Sequence, residues 1–460
     1  MRRHRLFLGD ERKIGTIPLS VLFAAALLER GYALRLFVAG IDETVVRMLQ
    51  LLCRQPVTVL DPFLAGGDDA VRALFQCASS DNALNLVIGP LLAGGSDEEN
   101  VLVDRTSCRV AKTLEAPMLP LLYADMSAVL AARRAEQVFS QINDVSPQSR
   151  QMGVCFASVL NPREYQLLEI ELGRRVPLIS MGFLPGHIHR EIPGDDVLFT
   201  SEPHSLKLTS LRSAVAQIRH MEDQILWSLV GAMGQLAPDW PGVTFPWEPL
   251  PKPVHVGVVR HAALSVGGDS TEQLFRYLGA RISDVALDAD IPPDLEALWV
   301  PHGRALWAVA QMVDDPRFRR GIGRLAMQNK PFLVEGESSA VFGERLTVEH
   351  PPSSRGGICL ISCQGHFGKN VGHAEERRVE LECSVNGPLL HGGERCRGYW
   401  PRNFSVTSPV SQRAEWLAID PKERVQIATD GWSLKRGMIS QMRLELWSCV
   451  DGVRRWLSGT

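Results

Sequence analysis

The chain has 460 residues, 45% of them hydrophobic and 22% charged, with a formal net charge of -3. That length exceeds what one ordinary core supports, so two or more domains are expected. The near-balanced charge excludes a nucleic-acid footprint, for which the basic start Met1-Arg-Arg-His-Arg5 is too short, and no run reaches the ~18 apolar residues of a membrane span.

The first 235 or so residues alternate short apolar runs with helical ones. Leu6 to Leu8 reads as a strand, Gly9 to Thr16 as a loop, and Ile17 to Arg30 as an apolar helix closed by Gly31. Strands are predicted at Leu34 to Val38, Asn85 to Ile88, Met118 to Tyr123, Gly153 to Val159 and Pro177 to Met181. Strands interleaved with helices argue for a doubly wound parallel sheet, covered on both faces. Prolines at 238, 241, 246, 249, 251 and 253, with Trp240 and Trp247 among them, make a semi-rigid extended stretch. Domains are therefore expected at 1–237 and 254–460, joined by a linker at 238–253.

Beyond the linker the α/β pattern restarts with a strand at His255 to Val259, a helix at Thr271 to Leu278 and a strand at Leu295 to Val300. The loop Pro301-His-Gly-Arg304 and helical segments to Gln328 follow. Pro331-Phe-Leu-Val-Glu-Gly336 then reads as a buried strand entering a tight turn, and Ser338, Ser339 and Ala340 as a small-residue helix. This is the build of a nucleophile elbow, yet the residue at the turn is Gly336, which brings no nucleophile. After Gly343 the runs shorten and alternate, as at Cys359 to Ser362, Val379 to Cys383 and Arg424 to Ala428, which predicts antiparallel additions to the second sheet.

Nine cysteines are scattered through the chain, the pattern of buried free thiols rather than a disulfide framework. Cys359, Cys363, Cys383 and Cys396 lack metal-ligand spacing, and no metal site is expected. The start lacks a secretory cleavage pattern, and a cytoplasmic location is expected.

Several segments, in order, resemble the cobyrinic acid a,c-diamide synthase family of ATP- and glutamine-dependent tetrapyrrole amidases. They are Val59-Leu-Asp-Pro-Phe-Leu64, Asp294-Leu-Glu-Ala-Leu-Trp-Val-Pro-His-Gly303, Lys330-Pro-Phe-Leu-Val-Glu335 and Asp430-Gly-Trp432 through Met438 to Trp447. The resemblance implies an N-terminal P-loop-NTPase-like, dethiobiotin-synthetase-like doubly wound sheet and a C-terminal class I glutamine-amidotransferase-like α/β domain. It also implies that the reactive groups are missing.

A phosphate loop needs converging backbone N–H groups, a lysine and a hydroxyl for magnesium. In Gly9-Asp-Glu-Arg-Lys-Ile-Gly-Thr16, Gly9 and Thr16 stand where that pattern requires, but Ile14 replaces its second glycine and Gly15 its lysine. Asp10 and Glu11 disfavour triphosphate, with Lys13 as a substitute cation. Val38 stands at a family lysine in Leu36-Phe-Val-Ala-Gly-Ile-Asp42, where Asp42 remains a candidate ligand residue, and Ile88 stands at a family glutamate. In the glutaminase half the thiol position is Gly336 and the histidine position Arg443, leaving Glu445 nothing to orient. Gly398-Tyr-Trp-Pro-Arg-Asn403 replaces another histidine-containing family segment. Ser338 or Ser339 as a substitute nucleophile would face an arginine where the base belongs. His302, at a strand's carboxyl end, is a candidate ligand-binding residue.

Three readings follow. The chain is a catalytically impaired member with no expected cofactor, binding a tetrapyrrole-type ligand or an active relative, with a homodimer also open. Alternatively it is an active ATP- and magnesium-using amidase of cobyrinate or sirohaem carboxylates, or a purely structural partner whose contact surface includes Trp240, Phe245 and Trp247.

Overall fold

The computed structural model describes residues 2–94, 101–146, 151, 153–199, 206–409 and 413–459. The chain divides into two units. The first comprises Met1–Pro62, Val71–Leu198 and Glu202–Val243, and the second Phe63–Ala70, Phe199–Ser201 and Thr244–Thr460. The division at Val243 falls inside the proline-rich stretch, whose two halves pack differently. Trp240 lies 5.1 Å from the Phe75 ring and donates from Nε1 to Gln76 Oε1 at 2.9 Å, in the first unit. Trp247 lies 6.3 Å from Trp447 in the second. Tryptophans that bury large apolar area fasten each half to a core.

In the first unit, seven strands form one sheet: β1 (Arg5–Asp10), β2 (Leu34–Ala39), β3 (Val57–Leu60), β4 (Leu84–Pro90), β5 (Met118–Tyr123), β6 (Gly153–Val159) and β7 (Ile179–Pro185), in the order β3-β2-β4-β1-β5-β6-β7. Every neighbouring pair is parallel. β1, β5 and β6 are buried at every residue, Arg5 and Asp10 at the ends of β1 included, as strands covered on both faces require. The fold is the doubly wound α/β class expected. β3, four residues long, was not among the predicted strands, because so short a run carries no period of its own. β7 begins two residues later than predicted and runs four further, to Pro185.

The first helix, α1 (Leu19–Glu29), is buried from Leu19 through Leu27, so it shows no polar stripe. Its chain leaves through Gly31, whose φ of 90° is open to glycine without strain.

The second unit carries a six-stranded sheet ordered Trp432–Leu434, Gly437–Ser440, Phe332–Glu335, Ala297–Val300, His255–Arg260, Arg281–Ala286. It is parallel apart from the edge pair Trp432–Leu434 with Gly437–Ser440. Of the short runs after Gly343, Trp432–Leu434 and Gly437–Ser440 join this sheet, the first as an antiparallel edge strand, and the others do not. They form a four-stranded sheet (Ser353–Gly356, Arg345–Val348, Gln364–Phe367, Phe404–Thr407) and a five-stranded one (Gln426–Asp430, Trp416–Ile419, Arg377–Cys383, Arg395–Trp400, Arg443–Glu445). Nor is Cys359 to Ser362 a strand. Cys359 has φ 62° and the segment turns, its amides bonding back to Phe342 and Gly343 carbonyls.

Asp430 ends one of these strands fully buried, accepting from the Gln441 N–H at 2.8 Å and the Ser440 hydroxyl. Burial pushes its carboxyl up to about 6. A carboxyl raised in the folded state contributes stability that is present below its unfolded value of about 4 and lost as pH rises through about 6. Denaturant titrations at pH 4 and pH 7 are expected to show Asp430→Asn gaining stability relative to wild type across that window. A constant difference at the two pH values would contradict the burial argument.

Among the described residues, no helix is long and apolar enough to cross a membrane.

Candidate functional site

In the first unit, the loop after β1 is closed upon itself. Asp10, wholly buried, accepts from the backbone N–H of Ser20 at 3.2 Å and from its hydroxyl at 2.9 Å. Ser20 is the second residue of α1, so a carboxylate of the chain itself meets the positive end of that helix. Burial raises the Asp10 carboxyl above its ordinary value, opposed by Arg12 and Ser20. Arg12 reaches Asp10 at 3.4 Å and pairs closely with Asp42. Glu11 accepts from the Tyr123 N–H at 3.1 Å and pairs with Arg134 at 2.5 Å.

Each residue singled out in this loop has a structural place. Gly9 lies within β1, and a Cβ there would come 2.9 Å from Leu91 Cδ1. Lys13 is ion-paired with Asp125 and stands 4.1 Å over the Tyr123 ring. Gly15 holds φ 75° beside a fully exposed Ile14, and Thr16 turns its hydroxyl back to the Lys13 carbonyl at 2.9 Å. Asp42 caps the helix Glu43–Cys53, accepting from the Val45 N–H at 2.9 Å. Val38 and Ile88 are buried in β2 and β4 as core residues.

In the second unit, the expected strand, turn and short helix are present at Phe332–Glu335, Gly336 and Ser338–Val341. Gly336 has φ 62°, as an elbow residue does. The space a side chain would enter is already filled: a Cβ at 336 would lie 2.0 Å from His302 Nδ1. His302 is 1% exposed, and its Nδ1 faces the Glu337 N–H at 3.3 Å. Ser338 donates to the Pro301 carbonyl at 2.9 Å and Ser339 to the Gly336 carbonyl at 2.7 Å, which ties both hydroxyls to backbone.

The closing segment completes a buried polar cluster. Arg443 donates to Glu445 Oε2 at 2.7 Å, to Ser270 Oγ at 2.7 Å and to the Gly267 carbonyl at 3.2 Å. Ser270 in turn donates to Glu445 Oε2 at 2.9 Å. Glu335 accepts from Trp299 Nε1 at 2.9 Å and from the Leu444 N–H at 2.8 Å. Burial raises Glu335 above the usual carboxylate range, with Arg443 opposing, while Arg443 is held above the usual arginine value by Glu445 and Glu335 despite its burial. His302 thus lies against Gly336, and Arg443 pairs with Glu445. The charged pair is sealed: Arg443 and Glu445 are each 2% exposed.

The sequence reading missed the partners that hold these groups, Ser20, Gly267, Ser270 and Trp299. Gly267 alone left a signal, a glycine pair before Asp269 that admits a large side chain. A Cβ at 267 would lie 2.8 Å from Arg443 Nε. Among the described residues, no group of three or more histidines, cysteines or acids is placed to hold a metal ion.

No family model matches the chain, and no curated protein matches it. Among solved structures the chain is similar to PurLQS from Thermotoga maritima, at 14% identity over 45% of this chain and 97% of that one, TM-score 0.33. It is similar to a glutamine amidotransferase at 13% identity over 45% and 99%, TM-score 0.32. It is also similar to chloroplast FtsY from Physcomitrella patens at 12% identity over 47% and 66%, TM-score 0.26. Likenesses this slight concern part-chain architecture and bear on no residue and no activity.

Proposed function

We propose that this chain is a non-catalytic counterpart of the glutamine-dependent tetrapyrrole amidases, acting in cobalamin- or sirohaem-related metabolism through what it binds. The observation that carries this reading is the His302 ring standing where a residue-336 side chain would project. Thiol chemistry needs a thiolate, a base to take its proton and room for the substrate. Here the thiol is absent, the base position carries an arginine locked to Glu445, and the room is occupied. The Asp10 carboxylate at the start of α1 supports the same reading in the first unit, because it repels the anion that ATP would bring. The segments from Val59 to Leu64, Asp294 to Gly303 and Met438 to Trp447 support a carboxylated tetrapyrrole as the ligand.

The test uses the purified full chain. Incubation with glutamine, with and without ATP and magnesium, is expected to release no glutamate above buffer, and calorimetric titration with MgATP to give no binding heat. Titration into sirohaem is expected to shift the pigment's visible bands to saturation. Glutamate release overturns the non-catalytic reading; unshifted bands overturn the choice of ligand.

A further inference from the structure

A serine and a histidine outside both clusters meet at the carboxyl edge of the first unit's sheet. β6 and β7 are matched at Ala157 with Leu184 and at Val159 with Pro185, so Ser158 is an extra residue between them. Such bulges re-aim a side chain and recur beside active sites. Ser158 also holds φ 60°, a conformation that glycine adopts freely and serine does not. Its Oγ lies 2.5 Å from His189 Nε2.

His189 follows the single helical turn Gly186–Ile188 after β7, its ring 5.1 Å from that of Tyr123. Burial, Lys13 and Arg190 hold its pKa below the ordinary histidine value against the pull of Asp125, so at neutral pH the ring is in the uncharged form that accepts a proton. Ser158 is 8% exposed, and a Cβ built on Gly186 would stand 3.9 Å from its Oγ, an ordinary contact distance that leaves room beside the hydroxyl for one small group. Lys13 and Asp125, ion-paired in the loops after β1 and β5, act electrostatically on His189. The carboxyl ends of strands are where open parallel sheets take their ligands.

We propose that Ser158 and His189 are a nucleophile and base that accept acyl groups from small activated esters, an activity separate from tetrapyrrole binding. Ser158 Oγ attacks the ester carbonyl carbon while Nε2 takes the hydroxyl proton. The bond to the leaving alkoxide breaks, and that oxygen receives the proton from Nε2. The serine ester is then hydrolysed by water, which releases the carboxylic acid and restores the serine hydroxyl. His189 Nδ1 is buried with no partner among the described residues, so no carboxylate fixes the ring's tautomer, and turnover is slow compared with a three-membered catalytic set.

A fluorophosphonate probe reads the first half of this chemistry. The Oγ–P bond forms, the P–F bond breaks, and fluoride leaves with the serine proton as HF. Mass spectrometry of the full chain is expected to find one adduct, mapped to Ser158. It is expected to be absent from Ser158→Gly, whose backbone suits φ 60°, and slowed about 100-fold in His189→Ala and His189→Gln, the lower range of general-base effects. Thermal melts check that each variant is folded. An unlabelled Ser158 in folded wild-type protein overturns the proposal, as does an unchanged labelling rate in either folded histidine variant.

Discussion

Replacing Arg443 with methionine is expected to destabilise the second unit by about 3–5 kcal/mol, the scale for breaking a buried ion pair by removing one partner. The guanidinium is 2% exposed and is the counter-charge to Glu445 and Glu335 together. Without it two carboxylates stay in the interior, and Glu445 Oε1 already lacks a hydrogen-bond partner. Scanning calorimetry is expected to show the second unit's melting temperature falling by roughly 6–20 °C. The loss should be greatest at high pH: carboxyls left unpaired in the fold have raised pKa values, so their ionised forms cost stability as pH rises. The double variant Arg443→Met, Glu445→Leu should recover part of the loss, because apolar replacement of both partners removes the stranded charge. A wild-type melt in Arg443→Met would show that the cluster is solvated rather than sealed.

Installing a thiol as Gly336→Cys is expected to cost stability and confer no glutaminase activity. Two effects add. A non-glycine residue at φ 62° is strained by about 1–3 kcal/mol, and overpacking against a ring 2.0 Å away costs roughly 1–3 kcal/mol more. Even a thiol accommodated there would lie against the His302 ring, while the nearby Arg443 guanidinium, held in its ion pair with Glu445, accepts no proton. Denaturant unfolding measures the first expectation and a glutamate assay the second. Adding His302→Gly should restore part of the stability of Gly336→Cys, by clearing the ring, while glutamate release stays at background. Full wild-type stability in the single variant would mean that the His302 ring does not occupy the elbow.

These two expectations locate what was legible in the chain. The parallel core strands could be read because strands buried on both faces are continuous apolar runs, as at Met118 to Tyr123 and Gly153 to Val159. The turn at Gly336 could be read because a buried strand ended on a glycine followed by small residues. The sheets beyond Gly343 could not be assigned. Their runs are short, and pairing partners such as Gln364–Phe367 with Phe404–Thr407 lie far apart in sequence. Ser158 escaped notice for a related reason. Its bulge exists only in the register of β6 against β7, and its histidine partner comes 31 residues later.

By itself the sequence determined the class of both units, the place of the elbow and the absence of a side chain at its tip, since these follow from local apolar periodicity and residue identity. Only the tertiary structure decided what became of the space. His302 fills the elbow, Arg443 is neutralised by Glu445 and Ser270, and Asp10 meets the start of α1. A buried charge must find its partner wherever the fold brings one within hydrogen-bond reach, and such partners, 173 residues apart for Arg443 and Ser270, leave no local pattern to read.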